Sequence, residues 1–234
     1  MRLKSSSYSI LKTNAERRDF LADLFTRNAR SLDVRRGVAQ SVFQECTFDA
    51  YKTSADVPEQ VKAKMVCERF ADRLAQRVVE GPNSGIGLLM QGEPGTGKTH
   101  LAMAVLNRLR GTYPGYYIAA GDFFNFMRRK DDGDNTYGRR MQNFSLVSVL
   151  VIDEIGRSSI TDFERKTLRD LYERRFESGV PTILITNLDS DELSLALDAT
   201  FTSRLNKYAY QLLFEWEDHR RKTSVFDLDP EEIF

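Results

Sequence analysis

The chain has 234 residues, which is enough for one sizeable domain with a short appendage. Hydrophobic residues make up 41% of it, so a full core can be buried and wholesale disorder is excluded. The 34 basic residues balance 34 acidic ones, so the total charge gives no argument for or against a nucleic-acid partner.

Cysteine usage and hydropathy indicate the compartment. Two cysteines, Cys46 and Cys67, are too few for a disulfide framework or a tetrahedral zinc site, and free thiols fit a reducing cytosol. The first 20 residues lack the apolar stretch of a signal peptide, and no segment approaches the roughly 20 apolar residues of a membrane-spanning helix. We therefore expect a soluble, cytoplasmic protein with no membrane partner.

The N-terminal segment, residues 1–45, is charged and helix-prone. Its apolar residues Phe20, Leu21, Leu24 and Phe25 recur at near-helical spacing, which predicts one or two amphipathic helices. Such helices are too short to have their own core, so their apolar face must lie against something else. The rest of the chain and a partner protein are equally good candidates.

The predicted elements after Cys46 describe an α/β domain. Pro58 marks the first turn of a helix expected to run to about residue 79, and the sequence at 81–85 breaks the chain. Short apolar runs then alternate with helical patterns, which predicts a five-stranded parallel sheet with helices on both faces. Gly179 should end the third of the later helices, and residues 130–138 should form a polar loop. The predicted strands lie near 86–90, 116–119, 147–153, 182–186 and 210–214, and the predicted helices near 98–110, 122–129, 162–178 and 190–197.

A phosphate-binding loop is the strongest motif. Residues 92–99 (GEPGTGKT) match G-x-x-x-x-G-K-[ST] in full, between a predicted strand and a predicted helix. The glycines let backbone N–H groups point at phosphate oxygens, and the helix N-terminus adds positive charge. Lys98 should reach the β- and γ-phosphates, and Thr99 should bind Mg²⁺. We expect the ATP or ADP contacts to come from Gly92, Glu93, Pro94, Gly95, Thr96, Gly97, Lys98, Thr99 and His100.

Two strand ends carry polar side chains. The apolar run 149–152 ends in Asp153 and Glu154, which should lie at the crevice where open α/β sheets bind ligands. Asp153 would hold Mg²⁺ through water, and Glu154 would polarise the water that attacks the γ-phosphorus. Asn187 ends another apolar strand. It could position the attacking water, or it could be an ordinary turn residue at a strand-to-loop junction; the residues alone favour neither alternative.

With these motifs and Arg204 in that order, the chain resembles the AAA+ ATPases with a phosphate loop. Within them it looks most like the DnaC/IstB group, which includes bacterial replicative helicase loaders. The resemblance covers about 46–222 and is carried by residues 46–51 (CTFDAY), 92–102 (GEPGTGKTHLA), 149–156 (VLVIDEIG) and 214–220 (FEWEDHR).

The resemblance implies an AAA+ core with little or no lid domain. It implies that Asn187 is the sensor residue and that Arg204 is an arginine finger acting in a neighbouring subunit's ATP site; the alternative for Arg204 is a surface ion pair. It also implies that residues 1–45 bind a hexameric, DnaB-type replicative helicase, and that ATP orders self-associated subunits on single-stranded DNA. Residues 223–234 form an acidic tail that we expect to be solvated.

The expected DNA contacts are less specific. Residues 122–130 (DFFNFMRRK) place aromatic rings on a helix that ends in basic residues, as sequence-indifferent single-strand binding requires. Equally, Phe123 and Phe126 could face the core, with the basic residues complementing the helix C-terminus. The candidate contacts are Phe126, Arg128, Arg129, Lys130 and Arg157.

Two other functions share parts of this pattern. An IstB-type transposition helper, which binds duplex DNA, has nearly the same core motifs, so the nucleotide site does not separate it from a helicase loader. A small-molecule kinase also has a phosphate loop, but the glutamate after Asp153 suits hydrolysis and would waste ATP in a kinase.

Overall fold

The computed structural model describes residues 43–80, 87–110, 115–129 and 136–217. These ranges do not include the N-terminal helices expected before residue 43 or the acidic tail 223–234. The expected lack of a lid domain after β5 also concerns residues outside them. The elements in chain order are α1 (Pro58–Glu80), β1 (Gly87–Gly92), α2 (Lys98–Arg108), β2 (Gly115–Ala119), α3 (Ala120–Arg128), α4 (Thr136–Leu146), β3 (Val149–Ile155), α5 (Asp162–Glu177), β4 (Thr182–Thr186), α6 (Ser190–Leu197), α7 (Ala199–Tyr208) and β5 (Ala209–Phe214).

The five strands form one parallel sheet in the order β2-β3-β4-β1-β5. This confirms the predicted fold class and all five predicted strands. The order places β4 between β1, which leads into the phosphate loop, and β3, which ends in the acidic pair. Because the strands are parallel, the carboxyl ends of all three meet at one edge of the sheet.

Helices cover both faces of this sheet. Leu88 and Met90 of β1 belong to one buried cluster with residues of α1 and α2. Leu89, between them, belongs to a second buried cluster with residues of α3 to α7. Successive side chains of a strand point to opposite faces, so the sheet has a separate core on each side.

Two helices were not predicted. The polar loop expected at 130–138 is wrong at its end, because α4 begins at Thr136 and buries Met141 and Phe144 one helical turn apart. The ten residues of helix α7 (ATFTSRLNKY) include two threonines, a serine and an asparagine, so its intrinsic helix propensity is weak. It is stabilised by Asp198, whose carboxylate accepts a hydrogen bond from the N–H of Phe201 at 2.9 Å, and by tertiary burial.

A buried arginine fixes the amino-terminal edge of the sheet. Gly179, at φ 68°, ends α5 as predicted, and Arg175 in its last turn is fully buried. The Arg175 guanidinium donates to the carbonyls of Phe144 and Val147 at 2.7 Å each, to the Pro181 carbonyl at 2.6 Å and to the Thr182 hydroxyl at 2.8 Å. Burial lowers the pKa of Arg175 to about 9, which leaves it charged at neutral pH.

No helix in the described ranges is long and apolar enough to cross a membrane. Cys46 and Cys67 are both free thiols, and Cys67, on α1, is fully buried in the core.

Candidate nucleotide site

The phosphate loop connects β1 to α2 and has the backbone that the motif predicts. Gly95 and Gly97 have φ angles of 77° and 92°, in the left-handed region that disfavours side chains. Gly97 is also the residue that precedes the first turn of α2. A Cβ atom there would lie 2.6 Å from the ring of Tyr51, so both conformation and space require glycine.

Lys98 is the first residue of α2, and its side chain turns back over the loop. The ammonium group donates to the carbonyls of Gly92 at 2.5 Å and Glu93 at 2.7 Å, and the residue is 5% exposed. A nearly buried cation at a helix N-terminus, beside left-handed glycines, is a cradle for phosphate groups.

Two aromatic residues support the loop from behind. The carbonyl of Thr96 accepts hydrogen bonds from the indole N–H of Trp216 at 2.9 Å and from the hydroxyl of Tyr51 at 3.3 Å. The Thr96 hydroxyl donates to the Glu93 carbonyl at 2.7 Å, which closes the turn. The sequence patterns do not predict this role for Tyr51 or Trp216, although both lie in segments that carry the family resemblance.

The segment leading into the domain is fastened to α2. Asn107 donates to the carbonyls of Phe43 at 2.7 Å and Cys46 at 2.8 Å. The ring of His100 lies 2.8 Å from the Thr47 carbonyl. His100, expected to bind nucleotide, thus holds the lead-in segment beside the phosphate loop, and its contact with nucleotide stays a prediction.

The acidic end of β3 lies directly beside the phosphate loop. The register between β3 and β4 shifts between Ile152 and Ile155, and of the two acidic residues within the shift Asp153 is buried and Glu154 is exposed. Asp153 is 4% exposed, and its carboxylate accepts hydrogen bonds from Thr99 at 2.7 Å and Tyr117 at 3.1 Å. Burial and the neighbouring Asp153 carboxylate raise the pKa of Tyr117, so its hydroxyl stays a donor.

These oxygens fit a magnesium ion. The Thr99 hydroxyl and an Asp153 carboxylate oxygen lie within 2.7 Å, and both are hard donors of the kind that Mg²⁺ prefers. The described residues contain no cluster of three or more histidine, cysteine or acidic side chains suited to a metal, so the metal would rely on this hydroxyl–carboxylate pair and on the phosphates. Bound there, Mg²⁺ would neutralise charge on the phosphate oxygens.

Glu154 points away from its neighbour. Its φ of 59° is unusual for a residue other than glycine, and the residue is exposed. Its N–H donates to the Asp153 carboxylate at 2.6 Å, which stabilises this backbone. Its own carboxylate accepts a hydrogen bond from the Arg157 guanidinium at 2.7 Å.

Asn187 follows β4, and the strand order brings it between the phosphate loop and the acidic strand end. Its side chain is exposed at this edge. The preceding Thr186 donates to the Ile155 carbonyl at 2.7 Å and accepts from the Leu188 N–H at 3.0 Å. These bonds fasten the end of β4 to the end of β3 and so position Asn187.

Arg204 lies on the exposed side of α7, away from the groups just described. Its guanidinium forms an ion pair with Glu173 of α5, and the two side chains are 44% and 31% exposed. The structure therefore does not bring Arg204 to the phosphate loop of its own subunit. A role in a neighbouring subunit stays a prediction.

The predicted DNA contacts fall on and beside α3. The ring of Phe126 is half-buried and stacks under Arg140, whose guanidinium lies 4.7 Å from the ring centroid. Arg128 donates to Glu164 at 2.8 Å, while Arg129 is exposed. Lys130 lies outside the described residues, and Arg157 is the partner of Glu154.

Glu164, in the first turn of α5, is held as a charged group by its hydrogen bonds. Partial burial raises its pKa, but the hydrogen bonds from Thr161 and Arg128 outweigh this effect and leave the pKa below its usual range. It also completes the N-terminal cap of α5 with Thr161.

Comparison with known proteins identifies the family. The model of the IstB-like ATP binding proteins matches residues 15–212, which is most of the chain. The chain belongs to this family. The match begins before residue 46, so it includes part of the N-terminal segment as well as the ATPase core.

Similar curated proteins are named replicative helicase loader DnaC. The relative from Escherichia coli is 26% identical over 208 residues, covering 85% of this chain and 80% of the relative. The relative from Buchnera aphidicola (subspecies Schizaphis graminum) is 25% identical over 224 residues, covering 92% and 87%.

Solved structures share the fold. A crystal structure of the DnaC helicase loader aligns with a TM-score of 0.62 at 24% identity, over 74% of this chain and 98% of that one. The AMPPCP-bound DnaA of Aquifex aeolicus aligns with a TM-score of 0.60 at 17% identity, over 79% of this chain and 56% of that one. The family and the fold together identify the protein as an AAA+ ATPase.

Proposed function

We propose that this ATPase loads a replicative DNA helicase onto single-stranded DNA, using ATP as a switch between assembly and release. The observation that carries the proposal is the extent of the match to helicase loaders. Residues 46–234 are 189 of the 234 residues, so the match over 92% of the chain reaches into the first 45 residues. The likeness is therefore not limited to a generic ATPase core.

The proposed chemistry is hydrolysis of the γ-phosphate. Glu154 would accept a proton from the attacking water as the new oxygen–phosphorus bond forms. The bond from the γ-phosphorus to the bridging oxygen would break, giving ADP and inorganic phosphate. Lys98 would bind the phosphates, Asn187 would position the water, and Thr99 with Asp153 would hold Mg²⁺. The exposed carboxylate of Glu154 and the buried one of Asp153 support this division of roles.

The switch would act between subunits. Arg204 would enter a neighbouring subunit's ATP site and stabilise the charge that develops on the transferred phosphoryl group. Its position on an exposed helix face, paired with Glu173 rather than with its own site, supports action in trans. ATP would then favour self-association, and hydrolysis would weaken it.

The proposed division of the chain follows from this role. Residues 1–45 would bind the hexameric helicase, residues 46–222 would form the ATPase, and residues 223–234 would be an acidic tail. Single-stranded DNA would contact the region that includes Phe126, Arg128 to Lys130 and Arg157. A loader of a bacterial replicative helicase would work in the cytoplasm.

A binding experiment tests this function. The full chain is mixed with the host's replicative helicase and ATP, and the complex is measured by light scattering after size exclusion. We expect a stoichiometric complex that is lost when residues 1–45 are deleted and that loads helicase onto single-stranded circles in an ATP-dependent manner. Lys98→Ala is the control for the role of ATP, because it keeps the N-terminal segment and removes only the ammonium group proposed to bind the phosphates. No complex with the helicase, together with tight duplex binding, would reject the loader and favour a transposition helper.

A further inference from the structure

Helix α1 buries one face and presents another to solvent. The buried face packs on β1, α2 and β5 in the first core cluster. On the exposed face, Val61 and Met65 lie one turn apart and are 46% and 40% exposed, so large apolar side chains remain in contact with water. The same face carries the exposed basic residues Lys62, Arg69 and Arg73. At the helical spacing of about 100° per residue, these positions fall within about 120° of the helix circumference.

The positive charge of this face is not neutralised by the part of the chain that the structure describes. None of the three basic residues forms an ion pair with another described residue. Two acidic residues, Glu68 and Asp72, are half-buried at the Val61 margin of the face, and Asp72 is engaged by Arg108 of α2 at 3.1 Å. The face therefore combines apolar surface with positive charge, and a complementary ligand is acidic with apolar side chains.

A segment of this chemistry exists in the chain itself. Residues 227–234 (DLDPEEIF) contain four acidic residues, no basic residue and three large apolar residues. The other long segment outside the described residues, 1–42, contains nine basic and four acidic residues. Its net positive charge would meet the like charges of α1, which is unfavourable. Charge complementarity therefore favours residues 227–234 over residues 1–42.

The acidic segment is tethered close to α1. Leu212 and Phe214, at the end of β5, belong to the same buried cluster as the inner face of α1. The chain between Glu217, the last described residue, and Asp227 can span about 30 Å when extended. Helix α1 has 23 residues, and its length is therefore about 35 Å. The segment can thus reach the exposed face of α1 without leaving its own subunit.

We propose that residues 227–234 bind in cis to the exposed face of α1, with their carboxylates at Lys62, Arg69 and Arg73 and their apolar side chains on Val61 and Met65. The sequence alone predicts a solvated tail, whereas the unneutralised face of α1 gives this tail a binding site. The charges are exposed, so the contact is weak and sensitive to salt. The tether compensates for this by holding the segment at an effective concentration on the order of millimolar. When occupied, the face offers no basic stripe to the phosphates of nucleic acids.

A peptide binding experiment tests this contact. Fluorescein-labelled DLDPEEIF is titrated with the full chain and with a chain that lacks residues 227–234, and binding is measured by fluorescence anisotropy. We expect the truncated chain to bind the peptide about tenfold more tightly, because the attached segment competes in the full chain. The affinity for the truncated chain should fall about fivefold between about 50 and 300 mM NaCl, because salt screens exposed charges.

Variants of the truncated chain locate the site. Arg69→Glu with Arg73→Glu should weaken peptide binding about tenfold or more, and Arg69→Gln with Arg73→Gln should give a smaller loss without introducing like charges. The matched control is a pair of Arg→Glu changes at exposed positions of α4 and α5, which pack on the opposite face of the sheet. This control, Arg139→Glu with Arg174→Glu, changes the net charge equally and should leave the affinity within about twofold. A melting temperature close to that of the truncated chain would show that each variant is folded.

Several outcomes would overturn the proposal. Equal peptide affinity of the full and truncated chains, or no binding to the truncated chain, would show that the segment does not occupy α1. A single-stranded oligonucleotide that binds the truncated chain through Arg69 and Arg73, where the peptide does not bind, would assign the face to nucleic acid. Peptide binding by the full chain that strengthens on dilution would mean that a neighbouring copy supplies the segment. Helicase loading is not measured in these experiments, so the proposed function and this contact fail separately.

Discussion

At the scale of single residues, the phosphate loop depends on a hydrogen bond from the far end of the domain. The Trp216 indole donates to the Thr96 carbonyl at 2.9 Å, and Trp216 is 8% exposed. We expect Trp216→Phe to reduce stability by about 1–3 kcal/mol, because the buried carbonyl keeps only the longer bond from Tyr51. ATP affinity, measured by calorimetry, should fall with it.

The control for this variant is Tyr210→Phe, which removes a hydroxyl from an exposed position on β5. It should change neither the melting temperature nor the ATP affinity. Normal ATP binding by a folded Trp216→Phe protein would show that the loop keeps its shape without the indole.

Tyr117 gives a prediction for the pH dependence of stability. Burial and Asp153 raise its pKa in the folded state above the ordinary value of 10.0. Above pH 10 the unfolded chain therefore loses this proton while the folded chain keeps it, so stability falls as pH rises. Tyr117→Phe should remove up to about 1.4 kcal/mol per pH unit of this slope, measured by urea unfolding between pH 9 and 11. Equal alkaline slopes in the two proteins would contradict this.

Which site residues the sequence predicts depends on their distance along the chain. Lys98 and Thr99 follow from a local pattern, because the loop and the helix that shape their site are contiguous with them. The contacts of Thr96 with Tyr51 and Trp216 span 45 and 120 residues, and that of Asp153 with Tyr117 spans 36. Such pairings depend on strand order, which no local pattern of residue types contains.

At the scale of elements, the strands were predicted because they are continuous apolar runs. Each central strand is covered on both faces, so most of its residues are apolar and the signal is strong. Helices α4 and α7 are only about three turns long, and each buries two large apolar side chains among mostly polar residues. Tertiary packing rather than propensity stabilises them, and the cap by Asp198 was the one local signal for α7.

Arg175 gives a prediction at this scale, because it joins the end of α4 to the starts of β3 and β4. We expect Arg175→Met to destabilise the fold by about 3 kcal/mol or more, since three buried carbonyls and a hydroxyl lose a charged donor. KM for ATP of the folded fraction should be unchanged, because these bonds lie at the edge of the sheet opposite the site. Arg174→Met, at the exposed neighbouring position, is the matched control for urea unfolding.

At the scale of the whole molecule, one subunit holds most of the site at one edge of its sheet. The phosphate loop, Asp153, Glu154 and Asn187 meet there because β4 lies between β1 and β3. Arg204 does not join them, and its ion pair with Glu173 occupies an exposed face built from α5 and α7. If Arg204 takes part in hydrolysis, a second copy of the chain must supply it, and the rate must depend on assembly.

Mixing two inactive variants tests this dependence directly. Lys98→Ala subunits lack the phosphate-binding ammonium but keep Arg204, and Arg204→Ala subunits have the opposite defect. Each alone should hydrolyse little ATP, whereas an equal mixture should regain about one quarter of the natural rate, since half of the sites are intact and half of their neighbours carry the arginine. The Arg204→Ala protein should still bind ATP with normal affinity in calorimetry. A mixture no more active than its components would show that Arg204 does not act in a neighbouring subunit's site and serves only in the surface ion pair with Glu173.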